Sequence, residues 1–459
     1  MKPNVFGMLL LGLALLAAAD PAPQFVDLFK AATAAHEAKD YPAMELRLRE
    51  ALKVRPGHPA ALYNLAAALA LRGERKDAMA TLEKLVAMGL SYDPAGDADF
   101  AGLKGSERFT DIGKDFARNA KPAGRVRTVL QISDRPTYIP EGLAFDEDTD
   151  TYYLGSARQR RIQKIKRAGR DENFVLPGEG SLWAALGMVT DPDRHLLWVA
   201  SAAIPEMEVG DPKDLGRSAV LAYDLRSGDR RRRYVLEDGA AAHQLGDLAL
   251  ARNGTIYATD NKAGILYSLD TSSGKFEALT QPGELVSPQG VVQGRNRNFL
   301  FIADYVQGLF RYDINSRTLR KLDVGSDICV YGIDGLYRYH DDLVAVQNGV
   351  RPHRVVQLEI DDGGRRVRHA RVLASGATYF DEPTLGVVIG DHFDFVANSH
   401  WSRFNDKHEL PGNLSGPLVL RVELEDLRRN GNDRDPLNEN PSQPGGALPS
   451  LPCIGPLCR

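Results

Sequence analysis

Residues 332–356 read GIDGLYRYHDDLVAVQNGVRPHRVV. Short apolar runs begin after Gly335, at Leu343 and at Val355, and turn-forming Gly, Asp, Asn and Pro residues separate them. Short β-type runs between such turn residues predict successive antiparallel strands. Asp334 lies directly before the first run, so it is a turn residue, a metal ligand or a catalytic base, and the rest of the chain has to discriminate among these.

The opening of this stretch recurs six times. The first strands begin at Gly142-Leu-Ala-Phe, Gly187-Met-Val-Thr, Asp247-Leu-Ala-Leu, Gly290-Val-Val, Gly335-Leu-Tyr and Gly386-Val-Val. The successive spacings are 45, 60, 43, 45 and 51 residues, which is the scale of one four-stranded propeller blade. The sequence therefore predicts a six-bladed β-propeller over residues 125–427.

Further strands repeat in the same order within each unit. The second strands end in a small or polar residue, as in Tyr257-Ala-Thr-Asp260 and Phe301-Ile-Ala-Asp304, and third strands follow in all six units. Fourth strands are visible in five units only, and the sixth unit lacks one. The orphan strand at residues 126–132 is predicted to complete the sixth blade, because pairing the two ends of the ring removes exposed strand edges.

The region before the propeller is predicted to be helical. Residues 22–119 are rich in Ala, Leu, Glu, Lys and Arg with helical apolar spacing. The segments beginning at Lys39 and Gly73 align with a period of 34 residues, which is typical of tetratricopeptide repeats. About two such units, with a capping helical segment after them, either dock a protein partner or pack against the propeller. The whole chain is thus predicted to be multidomain α plus all-β.

The two ends of the chain carry different signals. Residues 1–19 combine Lys2, an apolar run and Ala17-Ala18-Ala19, which predicts a secretory signal peptide and a periplasmic or secreted protein. Residues 428–459 lack an apolar period and are predicted to be a disordered tail. Within it, Cys453 and Cys458 form either a loop disulfide or two thiols, while Cys329 is expected to be buried and inert.

Charge gives no general case for nucleic-acid binding, because the formal net charge is -4 over 459 residues. The densest basic run, at residues 230–233, is interpreted as a solvated strand or loop edge, with an anion site as the alternative. No later segment is apolar for the length of a membrane-spanning helix.

The residues just before the six repeat openings are expected to face one another across the propeller axis. They are Glu141, Leu186, Gly246, Gln289, Asp334 and Leu385. Two carboxylates and an amide supply the hard oxygen ligands that calcium prefers. Each of these residues taken alone is also compatible with a turn, whereas the ring taken together favours a site. Crowded carboxylates without a cation repel each other, so either a metal binds or some pKa values rise.

Several polar residues near this ring complete the candidate site. Asp247 follows the ring directly and is predicted, with Asn348 and His400, to contact a substrate. His243, His340 and His400 show no zinc-type spacing with another His or Cys. The polar ends of the second strands, Asp260, Asp304, Gln347 and Asn398, are expected to make structural hydrogen bonds to neighbouring loops.

The blade openings resemble a known family. Pro140-Glu-Gly-Leu-Ala-Phe-Asp146, Ser287-Pro-Gln-Gly-Val291 and Gly332-Ile-Asp-Gly-Leu336 are similar to motifs of the senescence-marker-protein, gluconolactonase and luciferin-regenerating-enzyme family of six-bladed propellers. The resemblance implies a divalent cation, calcium or zinc, and hydrolysis of lactones or related esters. It implies Glu141 and Asp334 as metal ligands, with Asp334 also the general base. Gln289 replaces the family's usual Asn, and Gly246-Asp247 lies near the family's substrate-contacting Asn.

Two functions follow as hypotheses. The first is an exported, metal-dependent hydrolase of lactones or related esters, with Glu141, Gln289 and Asp334 as ligands and Asp334 as base. The second is a non-catalytic propeller that binds a ligand or a partner, with the helical repeats as the docking region. No nucleic acid and no membrane span in the mature protein are expected in either case.

Overall fold

The computed structural model describes residues 21–133, 135–166, 171–237, 239, 242–377 and 380–426. The predicted signal peptide at residues 1–19 and the predicted tail at residues 428–459, including Cys453 and Cys458, lie outside the described residues. None of the helices within those ranges combines the length and apolarity needed to cross a membrane.

The N-terminal region is helical, as predicted. Its α-helices are α1 (Pro21–Glu37), α2 (Tyr41–Val54), α3 (Pro59–Leu71), α4 (Arg75–Ala87) and α5 (Glu107–Asn119). Local sequence sets the helix starts: the Asp40 side chain accepts a hydrogen bond from Ala43 N, and Pro59 occupies the first turn of α3. Consecutive helices pack in pairs, α1 on α2 and α3 on α4, an arrangement consistent with helical repeats.

The remainder is a six-bladed β-propeller, as predicted. Blades 1 to 3 contain β2 (Pro140–Asp146), β3 (Thr151–Ser156), β4 (Arg161–Lys166) and β5 (Asp171–Val175); β6 (Ala184–Asp191), β7 (Leu196–Ala202), β8 (Ser218–Asp224) and β9 (Arg230–Val235); and β10 (Leu245–Leu250), β11 (Ile256–Asp260), β12 (Ile265–Asp270) and β13 (Lys275–Ala278). The basic run at residues 230–233 lies in β9, whose first three residues are exposed, which confirms the solvated strand edge.

Blades 4 to 6 follow the same order with two additions. They contain β14 (Pro288–Gln293), β15 (Phe299–Asp304), β16 (Gly308–Asp313) and β17 (Thr318–Lys321); β19 (Ile333–Tyr339), β20 (Asp342–Gln347), β21 (Arg354–Ile360) and β22 (Arg366–Ser375), with β18 (Asp323–Val324) at the edge; and β23 (Gly386–Ile389), β24 (His392–Val396) and β25 (Leu418–Glu423), joined by β1 (Arg127–Gln131). The two-residue strand β18 pairs in parallel with β22, a pairing that the sequence repeat does not predict.

The ring is closed by the orphan strand, as predicted. The first strand of the propeller, β1, pairs antiparallel with the last, β25, in the sixth blade. The innermost strands contact one another around the axis in the order β2, β6, β10, β14, β19 and β23, and β23 contacts β2 again. Closure leaves neither chain end of the propeller as an unpaired edge.

The helical region packs directly on the propeller. Cys329, Tyr331 and Val350 from blade 5 and its loops are buried in the same apolar cluster as the helices. The Arg354 guanidinium donates from Nη1 to the carbonyl of Met88 over 2.8 Å. Of the two roles predicted for the helices, packing against the propeller is therefore present. Cys329 is 3% exposed, as expected for a buried thiol.

Candidate functional site

A bulge places the ring residues at the start of each inner strand. In five blades the pairing of the first two strands shifts register across the predicted ring position, between Pro140 and Leu143, Ala185 and Met188, Leu245 and Leu248, Pro288 and Val291, and Ile333 and Leu336. Bulges of this kind re-aim a side chain out of the regular alternation. The repeated blade openings thus share one local structure, a β-bulge at the start of the innermost strand.

The glycines at these openings allow the ring residues of adjacent blades to meet. A Cβ atom at Gly142 would lie 2.0 Å from the carbonyl oxygen of Leu186, and one at Gly290 would lie 3.0 Å from that of Asp334. Only a residue without a side chain tolerates the first approach. The ring predicted from the sequence is therefore assembled in blade order at one end of the channel.

Asp334 is held by an amide from the loop that follows the next strand. Asn348 Nδ2 donates to Asp334 Oδ2 over 2.7 Å and to the carbonyl of Pro383 over 3.0 Å. Desolvation raises the pKa of Asp334 to about 7, with the charge of Glu382 adding to the rise and the Asn348 hydrogen bond opposing it. Asp334 therefore changes protonation near neutral pH.

Glu141 is the second acid of the ring and is 9% exposed. Trp401 Nε1 donates to Glu141 Oε2 over 2.6 Å. Desolvation raises the pKa of Glu141 well above its usual range, and the charges of Asp334, Glu382 and Asp247 raise it further, whereas the Trp401 bond lowers it. The electrostatic coupling shows that these acids converge on one region.

Glu382 belongs to this acidic region and was not singled out from the sequence. It lies three residues before the ring position Leu385, and its Oε2 accepts a hydrogen bond from Ser402 N over 2.6 Å. Its backbone φ is 64°, in the left-handed region that non-glycine residues rarely occupy and that clusters at functional sites. Burial raises the pKa of Glu382, while the charge of Arg351 lowers it. The sequence signal that could have identified Glu382 is a Glu next to a Pro shortly before a blade opening, as also found at Pro140-Glu141.

Gln289 occupies the predicted ring position between the acids. Its Oε1 accepts a hydrogen bond from Asn261 Nδ2 over 3.2 Å, and its Nε2 donates to Ser287 Oγ over 3.1 Å. Gly246 lies beside it, since a Cβ atom there would be 3.7 Å from Gln289 Oε1. The Gln289 amide is thus oriented by its neighbours, with its oxygen directed to the blade 3 side.

Asp247 links the ring to the channel. It is 6% exposed, its Oδ1 accepts from Leu248 N over 2.9 Å, and its Oδ2 accepts from Val291 N over 3.4 Å. Burial raises its pKa to about 7. Asp247 also lines a channel cavity of about 450 Å³, together with Met188, Leu336 and Tyr337. The cavity wall mixes apolar side chains with polar ones such as Gln293 and Arg338, and it does not include Glu141, Gln289 or Asp334.

His400, predicted to contact a substrate, is 3% exposed and already engaged. Its Nδ1 lies 3.0 Å from Asp381 Oδ2, and its Nε2 lies 3.1 Å from the carbonyl of Ser415. The neighbouring residue Trp401, which the sequence reasoning passed over, is the one that reaches Glu141. Its contribution could not be read from spacing, because 260 residues separate the two partners.

The polar ends of the second strands make structural hydrogen bonds, as predicted. Asp304 accepts four backbone N–H groups, from Val286, Ser287, Val306 and Gln307. Gln347 Nε2 donates to the carbonyls of Cys329 and Tyr331, and the other members of this column likewise bond to adjacent loops. These hydrogen bonds hold the loops at the ends of the second strands in place.

The ring differs in kind from a dense cluster of metal-binding side chains. In the part of the chain that the structure describes, no group of three or more His, Cys, Asp and Glu side chains is placed to hold an ion. The predicted ligand set instead combines two carboxylates with an amide oxygen. A further amide oxygen, Asn348 Oδ1, is buried beside Asp334 without a hydrogen-bond partner among the described residues.

Comparisons with known proteins find similar proteins by structure only. No family model matches the chain, and no curated protein matches it by sequence. A solved luciferin-regenerating enzyme is 15% identical, with 66% of this chain and 95% of that chain covered and a TM-score of 0.46. A gluconolactonase from Xanthomonas campestris is 14% identical, with 66% and 90% covered and a TM-score of 0.45.

A third similar structure carries a different chemistry. An aldose sugar dehydrogenase from Streptomyces coelicolor, in its PQQ-bound form, is 15% identical, with 66% and 99% covered and a TM-score of 0.45. The first two similar structures bear the names in the family resemblance drawn from the blade openings. Nothing about the chemistry of this chain follows from these similarities, and its six-bladed architecture rests on its own strand pairing.

Proposed function

We propose that this chain hydrolyses lactones or related esters at the ring end of the propeller channel. The observation that supports the proposal most directly is Asp334, a desolvated carboxyl whose pKa is raised to about 7 and which Asn348 holds in one orientation. A general base works best when its pKa lies near the operating pH. Asp334 has that property, and among the described residues its hydrogen-bond partner is the Asn348 amide and not a histidine.

Asp334 takes a proton from a water molecule as the water oxygen attacks the acyl carbon. Its Oδ2 is engaged by Asn348, and its Oδ1 takes no hydrogen bond from the described residues, so Oδ1 is the oxygen assigned to the proton. When the ester C–O bond breaks, the same carboxyl returns the proton to the leaving oxygen. The carboxyl groups of the acidic cluster repel anionic substrates, which favours neutral lactones and esters.

The ring has a donor set suited to a hard divalent cation, with Glu141, Asp334 and Gln289 as the residues that would hold it. Repulsion between the carboxylates and the partnerless Asn348 Oδ1 support such an ion. Oxygen-only ligands favour calcium over zinc, which takes nitrogen and sulfur more readily. When bound, the ion would polarise the substrate carbonyl and gather negative charge from the reaction.

The experiment is a hydrolysis assay of the purified protein against a panel of sugar lactones and aryl esters. Each substrate is tested with calcium, with zinc and with a chelator, and binding is followed in parallel by thermal unfolding. Asp334→Asn is the test variant, and Asp323→Asn, an exposed carboxyl on β18, is the matched control. Turnover that requires a cation and is lost only in Asp334→Asn supports the proposal.

Turnover of no substrate, together with stabilisation by calcium or by a panel member, would instead identify a non-catalytic binding propeller. Full activity of Asp334→Asn would remove Asp334 from the role of base. The outcomes are separable because the thermal measurement reports binding whether or not chemistry follows.

A further inference from the structure

The channel cavity of about 450 Å³ lies beyond the ring, toward the opposite end of the propeller axis. All six innermost strands line it, each at positions that follow its ring residue, and none of the six ring residues is part of the wall. Because these strands begin at the ring, their later residues lie farther along the channel. The cavity is therefore a space distinct from the proposed hydrolytic site.

The inner part of the cavity wall is apolar. Met188 and Leu336 line the cavity and also pack on the glycines that follow the ring. A Cβ atom at Gly142 would lie 3.0 Å from Met188 Cγ, and one at Gly290 would lie 2.6 Å from Leu336 Cβ. The innermost strands of the other blades add mainly Leu, Val, Ala and Phe side chains, and among the described residues of the wall Asp247 is the only carboxyl. This part of the wall suits an apolar group.

Three arginines from the adjacent blades 4 and 5 line the outer part of the cavity. Arg295 and Arg297 lie on the turn between β14 and β15, Arg338 lies on β19, and all three are exposed. Arg295 Nη1 is paired with Asp341 Oδ2 over 2.6 Å. Arg297 and Arg338 form no ion pair with a carboxylate of the described residues, and Arg338 Nη1 donates to the carbonyl of His340 over 2.9 Å. Two guanidinium groups therefore remain available to an anion.

The acids of the surroundings do not neutralise these two arginines. Glu147 and Asp148 lie on the corresponding turn of blade 1, and neither lines the cavity. The carboxyl oxygens of Asp247 accept hydrogen bonds from Leu248 N and Val291 N. A concave wall with unpaired charge of one sign attracts small ions of the opposite sign. The cavity volume also lies within the range of about 300–1,000 Å³ that small-molecule sites occupy.

We propose that this cavity binds a small aliphatic carboxylate, with its apolar chain against the inner wall and its carboxylate on Arg297 and Arg338. Guanidinium nitrogens form charge-assisted hydrogen bonds with carboxylate oxygens, which are stronger than hydrogen bonds between neutral groups. The carboxylate stays at the exposed end of the cavity, while burial of the chain removes apolar surface from water. The site does not rest on the proposed hydrolysis at the ring.

Isothermal titration calorimetry of the full chain in calcium-free buffer at constant ionic strength tests the site, with octanoate as the probe. Acetate has the same charge without the chain, and octylammonium has the same chain with the opposite charge. The test variants are Arg297→Met and Arg338→Met. The control is Arg252→Met, which changes an exposed arginine on the corresponding turn of blade 3 that does not line the cavity.

Octanoate is expected to bind the unmodified protein saturably at one site, and to bind each test variant about 5- to 10-fold more weakly. The control should bind octanoate as the unmodified protein does, and acetate and octylammonium should bind at least about 10-fold more weakly than octanoate. Both test variants change exposed side chains, so they should keep the thermal unfolding midpoint of the unmodified protein.

The proposal is overturned if octanoate shows no saturable binding to the unmodified protein. It is also overturned if either Arg297→Met or Arg338→Met binds octanoate as tightly as the unmodified protein does. Octylammonium binding as tight as that of octanoate would refute it as well, because the cavity would then recognise the chain without the carboxylate.

Discussion

The Asn348 side chain bridges Asp334 of blade 5 and the carbonyl of Pro383, directly before blade 6, through hydrogen bonds of 2.7 and 3.0 Å from one amide nitrogen. A single side chain thus fixes the carboxyl of Asp334 relative to the segment that carries Glu382. Asn348 is a positioning residue in the proposed reaction, because it acts through Asp334.

Replacing Asn348 by Ala is expected to lower kcat/KM by about 10- to 100-fold, the usual effect of losing a supporting hydrogen bond at a site. The bond stabilises the ionised carboxylate, so its loss raises the pKa of Asp334 further. The acidic limb of the kcat/KM profile should therefore move to higher pH. Asn315→Ala, in an exposed turn, is the matched control. An unchanged pH profile for Asn348→Ala would contradict the positioning role.

Trp401 is expected to control the affinity for a cation through Glu141. Trp401→Phe keeps an aromatic side chain at this position but removes the Nε1 group, which donates a hydrogen bond to Glu141 Oε2 over 2.6 Å. Supporting hydrogen bonds of this kind typically change metal affinity by about 10- to 100-fold. The calcium concentration that gives half of the thermal stabilisation should rise accordingly.

The control for this effect removes an indole donor elsewhere. Trp198→Phe breaks the 3.3 Å bond from Nε1 to Asp191 Oδ2 in blade 2. This variant is expected to lose stability while keeping the calcium response. Equal calcium responses in Trp401→Phe and the unmodified protein would show that Glu141 does not need this donor.

The sequence predicted the architecture because each blade is formed by residues that are close together in the sequence. Alternating apolar residues and turn residues recur in each blade. The sixth blade lacked a fourth strand, and the orphan strand at residues 127–131 supplies it by pairing with the third strand at residues 418–423. The parallel strand β18 was missed because two residues carry no apolar period. Its pairing with β22 depends only on the neighbouring strand being in place.

The placement of the inner-ring residues of the candidate site could be predicted from the sequence, whereas the contacts that support these residues could not. Glu141, Gln289 and Asp334 share one position of the repeat, so alignment of the blades found them. Trp401 and Glu382 reach the ring from loops that have no counterpart in the other blades. Their roles depend on tertiary contacts across tens to hundreds of residues, which no period in the sequence records.

Asp247 is expected to make stability depend on pH. Its pKa is raised from 3.8 to about 7 in the folded chain, so the folded protein keeps a proton that the unfolded chain loses above about pH 4. Stability should therefore fall as the pH rises from 4 to 7, and the full penalty is present above pH 7. Asp247→Asn carries no such charge and should gain about 1–3 kcal/mol over the unmodified protein at pH 8.

The measurement is thermal unfolding of both proteins at pH 4 and pH 8 in the presence of a chelator. The advantage of Asp247→Asn should be small at pH 4, where both side chains are neutral in the folded state. Asp323→Asn changes an exposed carboxyl and should show no pH-dependent gain. The same gain for Asp247→Asn at both pH values would refute a charge effect.

Arg354 is expected to be the strongest polar link between the helical region and the propeller. It is 3% exposed, donates from Nη1 to the carbonyls of Met88 and Gly89 over 2.8 and 3.3 Å, and donates from Nε to Gln347 Oε1 over 2.7 Å. Arg354→Met leaves these acceptors without their donor in a buried site. The expected loss is about 2–4 kcal/mol, because unsatisfied buried polar groups keep their desolvation cost.

Gln347 directly precedes Asn348, so the loss of Arg354 should also disturb the loop that holds Asp334. Chemical denaturation of Arg354→Met should show the destabilisation, and its hydrolysis rate should fall even under conditions where the protein stays folded. Arg368→Met, an exposed change on the adjacent strand β22, is the matched control and should alter neither quantity. Normal turnover in folded Arg354→Met would mean that the helical region stabilises the propeller without positioning the acid.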